Sequence, residues 1–220
     1  MPFPLLPGLR SEMVEISHRL HQNGWVANHD GNLSVRLKGD RFLITATALS
    51  KRDIDDGALL VVDGKGNVLE GRRKPFSELE LHLACYRARP EVDAVLHAHP
   101  PVATAFGLVG QGLEPVAMPE IVVSLGVKIP AVPRFMPRDA AGLKQVEAHA
   151  SEWDAFLMSG NGALTLGVDL SQALLRMELV EHYAKILQAA RALGPVAPLA
   201  DGELAKLLEA RKKAGLGPRR

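Results

Sequence analysis

The spacing of apolar and polar residues divides the chain into helical segments and short strands. Apolar residues three and four positions apart predict helices, and Ser77 and Asp139 are predicted to cap two of them. The predicted helices cover residues 9–23, 77–88, 101–109, 139–150, 170–193 and 202–213. Residues 120–125 are ambiguous, because three consecutive β-branched residues favour a strand whereas the flanking residues favour a helix.

Runs of apolar residues bounded by glycine, asparagine or proline predict strands. These strands cover residues 32–37, 42–47, 59–63, 68–69, 92–99, 155–158 and 163–166, and residues 114–118 are predicted to be extended. Strands and helices are mixed without a regular βα alternation. The pattern therefore predicts an α/β layered fold with a largely antiparallel sheet.

The composition predicts one domain over residues 1–220, in which residues 195–220 form a polar C-terminal tail helix. With 47% hydrophobic residues, a chain of this length can bury a core. The net charge of +1 gives no long-range field, so neither nucleic acid nor a membrane is expected as a partner. The lone Cys85 excludes an internal disulfide and fits a reducing cytoplasm. The proline-broken start resembles neither a signal peptide nor a membrane span, so we expect a cytoplasmic protein.

Two histidines one residue apart, His97 and His99, end the apolar run of residues 94–100. Side chains alternate along a strand, so both imidazoles are predicted to lie on the same face, where they can hold one metal ion. The alternative is that one histidine is a satisfied core residue and the other faces solvent. The pair occupies positions where a buried strand favours valine or isoleucine, and this favours metal binding.

Several short motifs resemble the class II aldolase/adducin family, which includes the fuculose-phosphate aldolases, and the resemblance extends from the first helix to about residue 193. The motifs are residues 31–36 (GNLSVR), 43–45 (LIT), 77–78 (SE), 97–100 (HAHP) and 160–170 (GNGALTLGVDL). Their order and spacing together are specific. The resemblance implies a three-layer fold with a nine-stranded, mostly antiparallel sheet flanked by helices. It also implies a homotetramer with active sites near subunit interfaces.

The same resemblance implies a divalent-metal-dependent lyase that cleaves a carbon–carbon bond, either an aldolase or a related decarboxylase. A cation held by imidazoles would polarise a carbonyl and adjacent hydroxyl of the substrate, and stabilise the enediolate or enolate left by cleavage. His97 and His99 are the implied ligands, and zinc ranks ahead of manganese, cobalt and magnesium. Glu78 matches the family's acidic residue and is the implied catalytic base. Alternatively, Ser77 and Glu78 only cap a helix.

The chain departs from the family at its third metal ligand, a histidine in the family, which falls on Asn161 here. Asparagine offers an oxygen but is a poor zinc ligand. Asn161 and the glycine after it are also a hairpin-turn signal, and this interpretation ranks slightly ahead of ligation. Other candidate replacements are His149, His182 and His82, the last of which lies one helical turn beyond the catalytic carboxylate.

The residues expected to bind substrate are Gly31, Asn32, Thr47, Phe76 and Ser77. In the family these positions cradle a phosphate. Ala48 replaces a glycine of that cradle, and its Cβ can block the approach of backbone amides to an anion. Phe76 replaces a hydroxyl donor with an apolar ring, which suits an aromatic or otherwise apolar substrate. The expected partner is a small hydroxy-carbonyl compound or hydroxy acid, with an unphosphorylated one favoured.

The chain lacks the two tyrosines with which the family's sugar-phosphate aldolases deliver protons. Its two tyrosines, Tyr86 and Tyr183, lie in predicted helices. Glu120 falls near the family's loop position and is either a candidate acid or a surface helix cap. Arg36 and Arg134 are either clamps for a carboxylate or structural salt-bridge partners.

Two alternatives to a lyase stay open from the sequence. A dehydratase or epimerase on the same fold would need a phosphate or sugar clamp that the sequence does not reveal. A non-catalytic interaction module resembling the adducin head would be consistent with Asn161 and the missing tyrosines. The joint presence of Glu78, His97 and His99 favours an enzyme, because a module without chemistry has no need of all three.

Overall fold

The computed structural model describes residues 7–136 and 139–218, and the predictions made for residues 1–6 lie outside these ranges. The strands are β1 (Asn32–Leu37), β2 (Arg41–Thr45), β3 (Leu59–Asp63), β4 (Val68–Glu70), β5 (Ala94–Ala98), β6 (Ala131–Val132), β7 (Ala155–Met158) and β8 (Ala163–Gly167). They form one sheet in the order β4-β3-β2-β1-β5-β8-β7-β6. Every neighbouring pair is antiparallel except β6 and β7, which confirms the predicted sheet type.

The sheet differs from the expected one in the number of its strands. The family resemblance implies nine strands, whereas the described residues form eight. The edge strand β6 is absent from the predicted set, because it is only two residues long and lies between Pro130 and Pro133. Proline signals a loop or a sheet edge. Residues 114–118 form no strand, and only Leu113 just before them makes an isolated bridge, to Ile129.

Helices cover both faces of the sheet. They are α1 (Pro7–Gln22), α2 (Leu79–Ala88), α3 (Pro101–Leu108), α4 (Pro119–Leu125), α5 (Ala140–Glu152), α6 (Leu170–Leu193) and α7 (Asp201–Lys213). The ambiguous segment 120–125 is helical because Pro119 supplies the fixed φ of a first turn, and Gly126 ends the helix with a φ of 100°. None of the helices in the described ranges combines the length and apolarity needed to cross a membrane.

The predicted caps differ in outcome. Asp139 caps α5 by accepting a 3.1 Å hydrogen bond from the amide of Ala141, as predicted. The prediction that Ser77 caps α2 is wrong, because the helix begins later and Glu78 occupies the cap position without a capping hydrogen bond. The Leu79 amide is bonded at 3.3 Å to the carbonyl of Phe76, which makes Ser77 part of a preceding turn. The carboxylate of Glu78 therefore remains available for other contacts.

The core consists of two hydrophobic layers separated by the sheet. Alternation along β1 and β5 sends Leu33 and Leu96 into the layer covered by α1, α3 and α6. Val95 faces the opposite layer, which is covered by α2 and α5. Ser34 and His97 occupy the same alternation as Val95, so they face α2 as well. This arrangement confirms the three-layer fold and brings polar side chains of the central strands under one helix.

A buried carboxylate links the C-terminal helix to the sheet. Asp154, just before β7, is fully buried and accepts hydrogen bonds from three arginines. Arg89 and Arg176 each donate at 3.0 Å, and Arg211 of α7 is the third partner. Arg211 also donates to the carbonyl of Val123 at 2.8 Å. The last helix is therefore fixed to the domain by a charge-assisted contact.

Candidate active site

His97 lies in the middle of the sheet, where β5 pairs with β1 and β8. Its backbone is paired with Asn32, and its side chain is 1% exposed. The strand ends at Ala98, so His99 lies one residue beyond it, whereas the sequence predicts a strand through residue 99. The two imidazoles still lie together, with ring centroids 5.0 Å apart.

The Glu78 carboxylate lies against the His97 ring and two asparagine amides. Its Oε2 accepts a 3.0 Å hydrogen bond from Nδ2 of Asn32, and its Oε1 accepts a 2.5 Å hydrogen bond from Nδ2 of Asn161. Burial alone would raise the pKa of Glu78, but His97 and the amide donors outweigh it and lower that pKa. The pairing with Glu78 likewise raises the pKa of His97 in spite of burial. The site thus holds Glu78 as a carboxylate.

Asn161 lies in the turn between β7 and β8, in contact with both Glu78 and His97. Its backbone N–H donates to the carbonyl of Met158 at 2.8 Å, and its backbone carbonyl accepts a 2.9 Å hydrogen bond from Nε2 of His97. Gly162 permits this close approach, because a Cβ there would lie 2.2 Å from the carbonyl oxygen of Ala98. The turn indicated by the sequence is present, and ligation by Asn161 stays a prediction.

One buried nitrogen of this group has no hydrogen-bond partner. Nδ1 of His97 lies 3.1 Å from Oε2 of Glu78 but lacks the alignment of a hydrogen bond. His99 lies nearer the surface, where its Nδ1 is 3.8 Å from Oδ2 of Asp30, a residue that the sequence reasoning missed. Burial and the nearby His97 lower the pKa of His99, which favours the neutral imidazole. Within residues 7–136 and 139–218, no three His, Cys, Asp or Glu side chains form a ready metal cluster.

His82 belongs to a hydrogen-bond chain behind Glu78. Its Nε2 lies 2.6 Å from Oδ1 of Asn32, and its Nδ1 lies 2.7 Å from the hydroxyl of Ser34, which is 2.8 Å from the hydroxyl of Tyr86. Because an amide oxygen only accepts, Nε2 of His82 donates to it. Burial lowers the pKa of His82 to about 3, so the ring is neutral. Both of its nitrogens are engaged, which leaves none for a metal.

A cavity of about 340 Å³ opens beside this group, and its wall includes Glu78, Asn161, Ser77 and Arg134. We call it the Glu78 cavity. Ser159 is the second serine of this wall, which also contains apolar side chains. Ser77 thus lines the cavity, and its contact with substrate stays a prediction.

The other predicted substrate-binding residues lie around the cavity or apart from it. Asn32 contacts Glu78 directly, and Gly31 precedes it, with a φ of 71°. The Phe76 ring is buried in the core, 5.0 Å from the His82 ring, and does not line the cavity. The Thr47 amide donates to the Lys74 carbonyl at 3.0 Å.

Ala48 has a backbone conformation that usually favours glycine. Its φ is 60°, in the left-handed region. For a residue with a Cβ this conformation costs about 1–2 kcal/mol. The obstacle to anion binding that the family motif predicts at the Cβ of Ala48 stays a prediction.

The remaining candidates have other partners. Arg36 donates to the carbonyl of Tyr86 at 2.9 Å and stacks on its ring, which supports the structural alternative. Tyr183 donates to the carbonyl of Pro115 and lies outside the Glu78 cavity. Glu120 is exposed in the first turn of α4. His182 lines a larger cavity of about 720 Å³ beside α6, and the half-buried His149 lines a third.

Comparison with known proteins identifies the family. Residues 11–188 match the family described as Class II Aldolase and Adducin N-terminal domain. The chain is 33% identical over 206 residues to 3-oxo-tetronate 4-phosphate decarboxylase of Escherichia coli K12, covering 90% of this chain and 94% of that protein. It is also 33% identical over 175 residues to L-fuculose phosphate aldolase of Methanococcus vannielii, covering 80% and 93%. The structure of L-fuculose-1-phosphate aldolase from Thermus thermophilus superposes with a TM-score of 0.74 at 29% identity, covering 87% and 98%.

These matches show that the chain belongs to the class II aldolase and adducin family, as its sequence motifs indicate. Within that family it is a class II aldolase-type lyase, in agreement with the decarboxylase and aldolase among its relatives. The predicted family, fold class and enzyme class are confirmed.

Class II aldolases depend on a divalent cation, and the buried donors found here suit one. Nδ1 of His97 makes no aligned hydrogen bond and lies 3.1 Å from Oε2 of Glu78, so these two donors could hold a cation together. The neighbouring His99 can supply a second imidazole. Asn161 offers an amide oxygen where the family has a third imidazole.

His82 is expected to affect catalysis through the position of Asn32 and hence of Glu78. Replacing His82→Phe removes the donor to Asn32, and we expect kcat to fall by roughly 10- to 100-fold, as for other outer partners of catalytic groups. His82→Gln, which can still donate to Asn32, should recover part of this loss. Steady-state kinetics together with thermal unfolding of both variants provide the measurement. Equal kcat for the wild type and His82→Phe would contradict the proposed role of the His82–Asn32 hydrogen bond in positioning Glu78.

Proposed function

We propose that this protein is a divalent-metal-dependent lyase that cleaves a carbon–carbon bond next to a carbonyl or carboxylate, with Glu78 as its catalytic residue. The observation that carries the proposal is a buried, ionised Glu78 that is held by two amides and lies 3.1 Å, through its Oε2, from Nδ1 of the buried His97. Burying such groups is costly, and strongly perturbed groups beside a cavity are typical of catalytic sites.

In this proposal His97 and His99 hold the cation, with Asn161 as a further and weaker oxygen ligand. When bound, the cation supplies positive charge that stabilises the negative charge developing on the substrate as the bond breaks. Glu78 takes the proton from, or returns it to, the reacting carbon. The amides of Asn32 and Asn161 orient its two oxygens and limit its rotation. The wall of the Glu78 cavity excludes part of the solvent around the reacting group.

We propose zinc as the cation, because imidazole ligands suit it. The replacement of a third imidazole by an amide oxygen lowers the selectivity for zinc. Manganese, cobalt and magnesium, which accept oxygen ligands more readily, are the alternatives. Glu78 itself provides a carboxylate oxygen on the same side of His97.

We propose a small hydroxy-carbonyl compound or hydroxy acid as the substrate, with an unphosphorylated one favoured. The named activities of the decarboxylase and aldolase relatives are on phosphorylated compounds. In this chain Ala48 places a Cβ in the predicted phosphate cradle, and Phe76 offers no hydroxyl and lies in the core. Both features weaken the case for a phosphate at that position.

We further propose a homotetramer located in the cytoplasm. The assembly follows from the family resemblance, in which active sites lie near subunit interfaces. Exposed apolar side chains such as Leu108, Val109 and Leu175 are consistent with contacts between copies. Cys85 is buried and unpaired, which is consistent with a reducing compartment.

Metal analysis tests the proposal. We expect the purified protein to contain about one divalent cation per chain, and chelation to abolish activity that added zinc restores. His97→Ala should lose the metal and the activity together, because it removes a central ligand. His149→Ala removes a half-buried histidine of α5 that does not line the Glu78 cavity; it is the matched control and should retain both.

The decisive contrary result is a folded wild-type protein that contains no metal and neither binds nor responds to zinc, manganese, cobalt or magnesium. A His97→Ala variant that retains the full metal content would equally exclude the assigned ligand. Circular dichroism of each variant separates loss of the metal from loss of the fold.

A further inference from the structure

Arg134 has an exposed guanidinium in the wall of the Glu78 cavity. Among residues 7–136 and 139–218, no carboxylate forms an ion pair with it. The buried arginines of this protein behave differently, since Arg89 and Arg176 each bond to Asp154. Arg134 therefore offers a planar fork of hydrogen-bond donors without a protein acceptor.

The backbone around Arg134 is held in place on both sides. Val132 of β6 accepts a 3.0 Å hydrogen bond from the amide of Ser159, which ties this segment to the turn after β7. The Phe135 ring packs directly on Gly142 of α5, where a Cβ would lie 2.2 Å from the ring. Residues on either side of Arg134 are thus anchored to different elements.

The guanidinium itself lies close against the turn that carries Asn161. A Cβ at Gly160 would lie 2.7 to 3.1 Å from the Nη2, Nε and Cζ atoms of Arg134, so the guanidinium packs directly on the backbone of this glycine. A side chain that is positioned in advance loses less entropy when it binds a ligand. The Arg134 guanidinium therefore lies next to Asn161, the residue that contacts Glu78.

The guanidinium of Arg134 is available to pair with an anionic group of a ligand. Arg134 is the one cationic side chain among the described lining residues. Glu78 lines the same cavity, but the two groups form no ion pair in the described chain. The other acidic lining residue, Glu80, lies 3.9 Å from Arg87. A substrate can thus contact Glu78 at one end and the guanidinium at the other.

We propose that Arg134 binds the anionic group of the substrate, a carboxylate or a phosphate, by paired hydrogen bonds from its guanidinium. It thereby selects anionic hydroxy-carbonyl compounds over neutral ones. The inference rests on the proposed function, because it assumes that the reacting carbon lies beside Glu78. Arg134 acts as a specificity residue and takes no part in proton transfer.

Three probes that share a hydroxymethyl ketone test this role: neutral dihydroxyacetone, hydroxypyruvate with a carboxylate, and dihydroxyacetone phosphate. Calorimetry on the metal-containing protein gives their Kd values. For the anion that the site accepts, Arg134→Gln should weaken binding by roughly tenfold to a hundredfold, the value of a charged hydrogen bond. Binding of dihydroxyacetone should stay the same. Arg134→Lys, which keeps the charge but loses the fork, should recover part of the affinity.

Arg52→Gln removes an exposed arginine elsewhere on the surface and serves as the matched control, with no change expected. A selective loss for hydroxypyruvate assigns the anion as a carboxylate, and a selective loss for dihydroxyacetone phosphate assigns it as a phosphate. If the Kd values of both anionic probes, relative to that of dihydroxyacetone, are the same in Arg134→Gln as in the wild type, the inference is overturned. If the metal and Glu78 are required for activity but Arg134→Gln does not change the binding of either anion, only this inference fails and the proposed function stands.

Discussion

Glu78→Gln is expected to reduce kcat by roughly 10²- to 10⁴-fold, the contribution of a positioned acid–base group. The substitution keeps the size of the side chain but removes its charge. Only one oxygen remains to accept the hydrogen bonds that Asn32 and Asn161 now donate to two oxygens. Steady-state kinetics measure the loss, and thermal unfolding shows whether the variant is folded.

Glu80→Gln is the matched control for this result. Glu80 lies two residues away, lines the same cavity and pairs only loosely with Arg87, at 3.9 Å. We expect it to change kcat by less than about threefold, because a single exposed ion pair contributes at most about 1 kcal/mol. If Glu78→Gln kept wild-type kcat, the assignment of Glu78 as the catalytic residue would be wrong. A comparable loss in Glu80→Gln would point to a general effect of charge in the cavity.

Asp154→Asn is expected to lower the free energy of unfolding by about 3–5 kcal/mol, the cost of removing one partner from a buried ion pair. Asp154 is fully buried and accepts from three arginines, so its neutralisation leaves their charges without the shared carboxylate. Burial already lowers the pKa of Arg176, to about 10, even with Asp154 present. Urea unfolding at constant pH provides the measurement.

Asp93→Asn provides the control, because Asp93 is half-exposed and its Oδ1 lies 3.5 Å from Nε of Arg36. We expect a change of no more than about 1 kcal/mol. If Asp154→Asn does not fold, Arg211→Gln tests the same contact by removing one of the three donors, and an intermediate loss is expected. A loss for Asp154→Asn no larger than that of Asp93→Asn would show that the arginines are adequately solvated without it.

The sequence predicts the fold well where a local signal and the tertiary environment agree. Asp139 caps its helix, the long helix α6 begins and ends as predicted, and β5 forms within the predicted apolar run. The prediction is less accurate where the chain is short or proline-rich. The edge strand β6 is formed by its parallel pairing with β7, and this is a long-range contact that no local pattern reveals.

The sequence predicts which residues belong to the candidate site, but it does not predict the hydrogen bonds that connect them. The histidine pair and Glu78 follow from spacing and from the family motifs. The position of His82 behind Asn32 does not, because two residues 50 positions apart are joined only by the packing of α2 on β1. The core position of Phe76 and the packing of Arg134 on Gly160 likewise depend on three-dimensional contacts. Polar residues such as Ser34 in a buried strand were the available signal for this network.

The central position of β5 also sets the order in which activity can appear during folding. β5 is bonded to β1 on one side and β8 on the other, and the proposed catalytic site combines side chains of Asn32, Glu78, His97 and Asn161. Forming it requires closure of long loops, which is slow compared with the formation of individual helices. A refolding intermediate with native helix content but without the β1–β5–β8 ladder would therefore be inactive.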